Sequence, residues 1–380
     1  MPGRTARGRD GRAAGPWSPA CGDPGSGPIA FPRGAPRQGR HGRPGLQGWR
    51  PCSDNILVRL IRLVALLTTL PAIAVLVATS TAHAAPAKDA ALVRYPAVGF
   101  GEQRSAVFTN PFWQDLGLKR TRFVVGWDAL RSRWQTAEVD AWMAAARAAG
   151  AKPLIAFTRS RSHWRTKVLP SKGEYKKAFR AFRHRYPDVT DYLVWNEANH
   201  CSQPLCHRPD RAAAYFDAMV EACRRCTIVA ADVLDTPSMA WYLREFRRHA
   251  RHTPRIWGLH NYIDANRLQS TGTRTMLRTV RGSIWFTETG GLVDRSTSSP
   301  IKFPQSVAHQ ARAVKFVLQD LALLSPRIRR IYLYHFQYQG TSNPWDSGVL
   351  SPHGRPRVAY RVIVRWVKRV QAARRAALER

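Results

Sequence analysis

Acidic residues are scarce in this sequence: 25 Asp and Glu stand against 60 Lys and Arg, giving a formal net charge of +35. An excess of this size favours an anionic partner, such as an acidic polysaccharide, a cell wall or a nucleic acid. The basic residues are spread along the chain, however, and no RNA- or DNA-binding motif accompanies them. We therefore interpret the charge as a solvated surface and expect no nucleic-acid partner.

Several catalytic motifs are missing as well. The sequence has no Gly-x-Ser-x-Gly elbow, no His-Glu-x-x-His zinc motif and no Walker phosphate loop. A Gly-rich dinucleotide turn is matched only in part, by Val98-Gly-Phe-Gly-Glu-Gln103, and no acidic ribose partner is evident. We expect no cofactor and no catalytic metal.

Cysteine is rare, with six residues in the whole chain. Four of them follow residue 84 and form two close pairs, Cys201 with Cys206 and Cys223 with Cys226. An even number in an exported chain predicts disulfides, and the closest partners are those within each pair. The alternative is zinc, because a histidine flanks the first pair on each side and zinc prefers Cys and His ligands.

The N-terminal part of the chain does not resemble a folded domain. Residues 1–50 are rich in Gly, Pro and Arg without apolar periodicity, which indicates a disordered leader or sequence upstream of the true start. Residues 51–84 carry a basic flank, an apolar run from Leu63 to Ala78 and an Ala-x-Ala pattern ending at Ala84. This order is typical of a secretory signal peptide, and the run is short for a membrane anchor. We expect cleavage after Ala84 and secretion of residues 85–380 as one domain, without a stable membrane anchor.

From residue 96 onward, short apolar runs alternate eight times with segments of helical spacing. The predicted strands are Ala97–Phe100, Thr121–Trp127, Lys152–Phe157, Asp191–Trp195, Thr227–Asp232, Arg255–His260, Ser283–Thr287 and Arg329–Phe336. Between them we predict helices, among them Thr136–Ala149 capped by Thr136, and Arg267–Val280. The segment Ser105–Leu116 is the weakest helix, because Pro111 interrupts it.

Eight βα units in one domain of this size predict an α/β fold of the (β/α)₈ TIM-barrel type. The alternative is a doubly wound open sheet, which the poor dinucleotide turn disfavours. In a barrel the active site lies at the carboxyl ends of the strands. Polar and aromatic residues crowd there: Glu102, Trp127, Asp128, Arg159, Asn196, Glu197, Asp232, His260, Tyr262, Glu288 and Gln337.

Two of these residues suggest the chemistry. Glu197 and Glu288 each end an apolar strand, where a carboxylate is tolerated only if the strand opens into a site. Paired carboxyl groups serve glycoside cleavage, since one must donate a proton while the other attacks the anomeric carbon. The alternative for either residue is a barrel salt bridge with an arginine, but that does not explain both positions.

The motifs Trp195-Asn196-Glu197, His260-Asn-Tyr262 and Thr287-Glu288 stand on the fourth, sixth and seventh predicted strands. In this arrangement the chain resembles the clan A retaining (β/α)₈ glycoside hydrolases, the superfamily of cellulases and β-xylosidases. The resemblance implies that Glu197 is the acid/base and Glu288 the nucleophile. It also implies that Asn196 binds a sugar hydroxyl beside the cleaved bond.

The same resemblance implies the partners of the two glutamates. Arg122 and Tyr262 resemble the clan's partners for its nucleophile and should hold Glu288 ionised. Trp195 and other apolar neighbours should raise the pKa of Glu197. His260 either lies near the reacting sugar, as in the clan, or is a satisfied histidine of the barrel core.

Aromatic residues are the remaining substrate-binding candidates. Trp127 and Trp345 could stack on sugar faces, although aromatic residues fill protein cores more often than they line sites. The clan often carries a tryptophan on strand eight, where this chain has Tyr334-His335-Phe336. Trp345 is the better candidate because it lies in a turn-rich loop beyond that strand.

These observations predict a secreted retaining glycoside hydrolase that acts on an extracellular poly- or oligosaccharide. Within this class, a β-xylosidase-like exo-enzyme and an endo-glucanase remain open. The alternatives from other classes are a barrel that binds cell-wall glycan without turnover, and a surface protein that binds anions through its charge.

Overall fold

The computed structural model describes residues 95–295, 302–340 and 345–379. The predicted leader at 1–50 and the predicted signal peptide at 51–84 lie outside the described residues. Among the helices of those three ranges, none is long and apolar enough to cross a membrane.

Parallel strands alternate with helices and form a barrel, which confirms the predicted fold class. The barrel strands are β1 (Ala97–Gly101), β2 (Arg120–Gly126), β3 (Lys152–Thr158), β4 (Asp191–Leu193), β5 (Thr227–Val229), β6 (Asp232–Leu234), β7 (Ile256–His260), β8 (Ser283–Thr289) and β10 (Ile328–Tyr334). Two further short strands, β9 (Asp294–Arg295) and β11 (Trp345–Asp346), pair antiparallel in a separate two-stranded sheet.

Two short strands, β5 and β6, stand where one fifth strand, Thr227–Asp232, was predicted, and β6 shares only Asp232 with that range. The order of the sheet is β5-β4-β3-β2-β1-β10-β8-β7-β6, so β5 and β6 stand at its two ends. β5 pairs with β4, and β6 pairs with β7. The residues between them bridge the gap: the Ala230 amide donates to the Ile256 carbonyl at 2.9 Å, and the Gly258 amide donates to the Ala231 carbonyl at 2.7 Å.

The helices cover the outside of the barrel. In the part of the chain that the structure describes, the α-helices are α1 (Pro111–Leu116), α2 (Arg133–Ala148), α3 (Lys172–Arg185), α4 (Pro209–Ala222), α5 (Met239–His249), α6 (Tyr262–Arg267), α7 (Thr271–Thr279), α8 (Val307–Gln319) and α9 (Val358–Leu378).

Three predicted helices differ from those observed. Pro111 begins α1 instead of interrupting a helix, because proline is favoured in the first turn and the Asn110 side chain accepts the Phe112 amide at 2.9 Å. The predicted Thr136 cap is wrong, since α2 begins at Arg133. The helix predicted at Arg267–Val280 is two helices, α6 and α7, and α6 begins directly after β7.

Side chains alternate along each strand, so apolar residues form one cluster between the strands and the helices and another inside the barrel. On β3, Phe157 packs against the α3 residues Phe179 and Phe182, with ring centroids 6.3 Å and 5.3 Å away. Leu154 and Ala156 point the other way and join a second apolar cluster inside the barrel. Polar side chains occupy the end of the barrel that is formed by the carboxyl ends of the strands.

Both predicted cysteine pairs are disulfides in the structure, Cys201–Cys206 and Cys223–Cys226. The first lies in the loop after β4, and the second connects the end of α4 to β5. Sulfur atoms joined in a disulfide cannot act as thiolate ligands for zinc. The prediction of a disulfide at Cys201 and Cys206 is therefore confirmed over the zinc alternative.

Candidate active site

The carboxyl ends of β4 and β8 bring the two predicted glutamates together. Asn196 and Glu197 follow β4, and Glu288 is the penultimate residue of β8. All three side chains are buried. One carboxylate oxygen of Glu197, one of Glu288 and one ring nitrogen of His260 lie within 4.8 Å of one another.

Arg122 connects these residues from its buried position on β2. Its Nη1 donates to Oε2 of Glu288 at 2.8 Å, and its Nη2 donates to Oδ1 of Asn196. The same Nη2 donates to Oδ2 of Asp232 at 3.2 Å. A planar guanidinium with several partners fixes their relative orientation, so Arg122 aligns the side chains of three different strands.

His260 ends β7 and joins Asp232 to Glu197. Its Nε2 lies 2.9 Å from Oδ2 of Asp232, and its Nδ1 lies 3.2 Å from Oε1 of Glu197. Asp232 also accepts a hydrogen bond from the Thr287 hydroxyl. Asp232 and His260 are fully buried, and water cannot replace these contacts.

Tyr262 supports Glu288 from the opposite side to Arg122. Its hydroxyl donates to Oε1 of Glu288 at 3.0 Å. The Tyr262 ring meets the Trp345 ring edge-on, with centroids 4.9 Å apart and planes at 90°. The Arg295 guanidinium lies 5.1 Å from the centre of the Trp345 ring. The β9–β11 pair, which carries Arg295 and Trp345, thus packs directly behind the tyrosine.

The spacing of Glu197, His260 and Glu288 would also suit a metal ion. Arg122 donates to Glu288 within this cluster, and charge repulsion opposes a cation beside a guanidinium. The cluster therefore fits a network of paired charges better than a metal centre.

The buried charges shift one another's pKa values. Burial alone would lower the pKa of His260, but the charges of Asp232 and Glu288 and hydrogen bonds raise it to about 10. Burial would raise the pKa of Asp232, but His260 and Arg122 outweigh this and hold it below its ordinary value. His260 is therefore a cation near neutral pH, and Asp232 is its counterion.

The pKa values of the two glutamates run opposite to the expectation from sequence. Burial raises the pKa of Glu288 above its ordinary value, although His260 and Arg122 act against it. Burial would also raise the pKa of Glu197, but the hydrogen bond and charge of His260 lower it overall. The prediction that apolar neighbours raise the pKa of Glu197 is wrong, because a cationic imidazole 3.2 Å away dominates them.

The backbone at Glu197 is strained. Its φ is +49°, in the left-handed region that residues other than glycine rarely adopt. Such a conformation costs on the order of 1–3 kcal/mol and is concentrated at functional sites. The Glu197 carboxyl group in this conformation lies 3.2 Å from Nδ1 of His260.

A cleft with a volume of about 90 Å³ lies over the glutamates. Its wall contains Asn196, Glu197, Glu288 and Tyr334, together with residues that follow β1 and β3. It stands at the strand ends, where barrel enzymes bind their substrates.

No family model and no curated protein sequence matches the chain. Its fold is nevertheless shared with solved structures. Xylanase 10B from Thermotoga maritima has a TM-score of 0.51 at 13% identity, covering 75% of this chain and 98% of that one. The family 5 glycoside hydrolase GH5_18 from Streptomyces cattleya has a TM-score of 0.52 at 18% identity, covering 73% and 81%. The fold of the chain is therefore similar to the barrels of these glycoside hydrolases.

A third solved structure is a monomeric β-xylosidase from Caulobacter crescentus CB15, with a TM-score of 0.50 at 15% identity, covering 71% of this chain and 67% of that one. The chain spans about two thirds of the length of several such structures. The resemblance drawn from the sequence motifs is thus confirmed for the fold, and identities this low show the fold alone.

Only one of the predicted substrate-binding residues lines the cleft. Asn196 lines the cleft beside the glutamates. Arg122, His260 and Tyr262 lie behind the glutamates and contact their carboxyl groups, so in this arrangement they hold the pair rather than line the cleft.

The two predicted aromatic platforms do not line the cleft either. Trp127 is buried at the end of β2, where Arg131 and Arg165 lie 5.1 Å and 5.7 Å from its ring centre. Trp345 is buried against Tyr262. Their direct contact with a sugar stays a prediction, whereas Tyr334 of β10 is the aromatic ring in the cleft wall.

Asp232 is the residue of this network whose role the sequence did not reveal. It stood among the polar strand ends, but an acidic residue after the apolar run Thr227–Ala231 gave no indication of its partners. The pairing of β6 with β7, which sets Asp232 opposite Gly258, creates the contact with His260.

Proposed function

We propose that this protein is a retaining glycoside hydrolase that cleaves O-glycosidic bonds, with Glu197 as acid/base and Glu288 as nucleophile. The observation that carries the proposal is the pair of buried glutamates on β4 and β8, with an oxygen of each within 4.8 Å of the other. Carboxyl groups about 5–5.5 Å apart suit retention, whereas inversion needs about 6.5–9.5 Å to admit a water molecule.

In the proposed first step, Glu288 attacks the anomeric carbon while Glu197 protonates the departing oxygen. Arg122 and Tyr262 each hold one oxygen of Glu288, so the carboxylate is oriented for attack. In the second step Glu197 takes a proton from water, which then cleaves the glycosyl-enzyme ester and restores the original configuration.

Glu197 must carry a proton when the glycosidic bond is cleaved. The hydrogen bond and charge of His260 lower the pKa of Glu197, and burial raises that of Glu288. An oxocarbenium-like sugar over Glu288 favours its ionised form, and the resulting negative charge raises the proton affinity of Glu197.

Substitution of the two glutamates tests the mechanism. Full-length protein is screened against plant, fungal and bacterial wall glycans, and the anomer first released is identified by NMR. Glu288→Gln should lose about 10⁴-fold or more in kcat while keeping its unfolding transition, because it removes the nucleophile. Glu197→Ala should retain its first step with an activated aryl glycoside, and azide should restore turnover.

The binding-only alternative makes a different prediction for the same variants. A barrel that binds glycan without turnover would show equal affinity in the wild type and Glu288→Gln, with no released sugar in either. An inverted product, or full activity in Glu288→Gln, would also remove the mechanism proposed here.

Export is a second part of the proposal. We propose that residues 85–380 are the mature, secreted domain and that residues 51–84 are removed as a signal peptide. The two disulfides support an oxidising compartment. N-terminal sequencing of secreted material should begin at or near Ala85, and recovery of residues 60–80 in a membrane fraction would contradict this.

A further inference from the structure

The side chain of Gln203 lies in the wall of the cleft over the glutamates. Gln203 belongs to the loop that follows β4, the same loop that carries Glu197, and its backbone amide donates to the His200 carbonyl at 2.8 Å. Only 6% of the residue is exposed, and the cleft is the space that it faces. An amide side chain thus stands near the proposed acid/base without a role in the proposed mechanism.

Two buried donors fix the orientation of this amide. Nε1 of Trp195 donates to Oε1 of Gln203 at 3.1 Å, and the Thr158 hydroxyl donates to the same oxygen at 3.2 Å. An indole N–H can only donate, so the end of the amide that faces it must be the oxygen and not the nitrogen. Trp195 and Thr158 are both buried, and water does not compete for these contacts. The two ends of the Gln203 amide are therefore distinguished by the chemistry of their surroundings.

The amide nitrogen keeps both of its N–H groups for a ligand. Across the described ranges of the chain, Nε2 of Gln203 donates to no protein acceptor, and protein atoms do not enclose it completely. Because Oε1 is turned towards Trp195 and Thr158, Nε2 is the end that is open to the cleft. A nearly buried donor without a partner is costly, and an acceptor on a bound ligand would remove that cost.

Asn196 shows the same arrangement in the same wall. Its Oδ1 accepts from Nη2 of Arg122, while its Nδ2 donates to no acceptor in the part of the chain that the structure describes. Asn196 directly follows Trp195, the residue that orients Gln203. The cleft thus contains two amides whose oxygens are bound by the protein and whose nitrogens are left to a ligand.

We propose that Gln203 is a specificity-determining residue, whose Nε2 donates a hydrogen bond to a hydroxyl oxygen of the sugar in the cleft. The proposal rests on the proposed function and specifies a group of the substrate that the same site recognises. A donor held in one orientation discriminates against a sugar that lacks the matching hydroxyl, because the donor is then left unpaired in a nearly buried position.

The test uses the full-length protein and para-nitrophenyl glycosides of glucose, xylose, galactose and mannose, each as both anomers. The glycoside that is hydrolysed fastest, or bound most tightly if none is hydrolysed, is compared with analogues in which one hydroxyl is replaced by hydrogen or by fluorine. Gln203→Met keeps the length of the side chain and removes its donors. Gln319→Met makes the same change at an exposed position at the end of α8 and is the control. Turnover is measured as kcat/KM, and binding is measured by calorimetry in the Glu288→Gln background.

The wild type should lose about tenfold in kcat/KM with one of the deoxy analogues, the loss expected for one hydrogen bond. Gln203→Met should lose about tenfold with the parent glycoside and nothing further with that analogue, because the same hydrogen bond has been removed from the other side. Gln319→Met should show the wild-type preference among the analogues.

Gln203→Glu replaces Gln203→Met if the latter does not fold. Its carboxylate keeps an acceptor for Trp195 and Thr158, but it cannot donate, and a fluorine substituent can only accept. Gln203→Glu should therefore lose about tenfold more than the wild type when fluorine replaces the recognised hydroxyl. Parent and fluorinated glycosides are compared within one variant, so the effect of the added charge on Glu197 applies to both.

The outcomes separate this inference from the proposed function. Hydrolysis in which the effects of Gln203→Met and of every deoxy analogue are independent would overturn the role of Gln203 and leave the hydrolase proposal standing. A lower melting temperature in Gln203→Met with an unchanged preference among the analogues would assign Gln203 a structural role and overturn the inference as well. Coupled losses in binding without turnover by the wild type would support the role of Gln203 and overturn the hydrolase. If none of the glycosides is bound, recognition of a sugar hydroxyl is wrong.

Discussion

Replacing Asp232 by asparagine removes the central negative charge of the network while keeping the shape of the side chain. Three donors point at this carboxylate: Nη2 of Arg122 at 3.2 Å, Nε2 of His260 at 2.9 Å and the Thr287 hydroxyl. An asparagine offers one acceptor oxygen and sets an amide NH₂ among these donors. It can donate to His260 only if the imidazole has lost its Nε2 proton, so the variant favours neutral histidine.

Two measurable quantities follow. Removing one partner from a buried ion pair leaves an uncompensated charge, and we expect a loss of about 3–5 kcal/mol in the free energy of unfolding. The pKa of His260, about 10 in the wild type, should fall towards the ordinary value of about 6.5, because Asp232 is the largest cause that raises it.

The sign of the pH dependence follows from these pKa values. In the wild type the pKa of His260 is higher in the folded than in the unfolded chain, so its contribution is complete below about pH 6.5 and is lost as the pH rises through about 10. The pKa of Asp232 is lowered by folding, so its contribution is present above about pH 3.9. The stability difference between wild type and Asp232→Asn should therefore be widest between about pH 4 and 6.5 and should narrow towards pH 10.

Urea unfolding at a series of pH values measures the difference, and NMR follows the His260 ring, assigned with His260→Gln. Asp188→Asn is the matched control, because Asp188 pairs with Arg147 at 2.9 Å on the surface and should change stability by less than about 1 kcal/mol. A His260 titration unchanged in Asp232→Asn, with unfolding free energies within about 1 kcal/mol of wild type at pH 6, would refute the network described here.

Three further predictions concern the surroundings of the glutamates. Arg122→Lys should lower kcat about a hundredfold despite its retained charge, because one ammonium cannot hold both Glu288 and Asp232 in position. Gly258→Ala should cost about 1–3 kcal/mol in unfolding free energy and reduce activity, since an added Cβ would lie 2.3 Å from Oδ1 of Asp232. Trp345→Ala should lower stability by about 3–5 kcal/mol and lower kcat more than it raises KM, because it leaves the Glu288 partner Tyr262 unsupported.

Two control substitutions test whether the losses in Gly258→Ala and Trp345→Ala depend on the positions of these residues beside the glutamates. Gly173→Ala adds the same methyl group in α3, where nothing lies within 4 Å, and should be neutral or stabilising. Trp164→Ala removes a tryptophan that is 78% exposed and should leave the unfolding free energy within about 0.5 kcal/mol of wild type. If either control behaves like its buried counterpart, the loss cannot be assigned to the active-site network.

The barrel could be predicted because each buried parallel strand requires an apolar run and each covering helix an apolar stripe. The break within the fifth strand could not, since Ala230 and Ala231 continue the apolar run without any turn residue. The break arises from closure of the ring: β5 follows the register of β4, while β6 follows that of β7. Registers of strands distant in sequence are not encoded in a local pattern.

The same limit applies to the candidate site. The positions of Glu197 and Glu288 on the fourth and seventh predicted strands were sufficient to expect that they meet. The reversed order of their pKa values depends on which glutamate His260 faces, and that is set by a side-chain contact of 3.2 Å across the barrel. Hydrophobic periodicity carries no information on such a contact.

The division of the fifth strand also separates ion-pair partners of the network. The half of the barrel that ends at β5 contributes Arg122 and Glu197. The half that begins at β6 contributes Asp232 and Glu288, which pair with Arg122, and His260, which pairs with Glu197. Neither half could bury its share of the network alone, because an unpaired charge would then stand in an apolar interior. Two fragments produced by cutting the chain near residue 230 should therefore remain unfolded when separate and recover structure only when mixed. The residues of the candidate active site thus also stabilise the association of the two halves of the barrel.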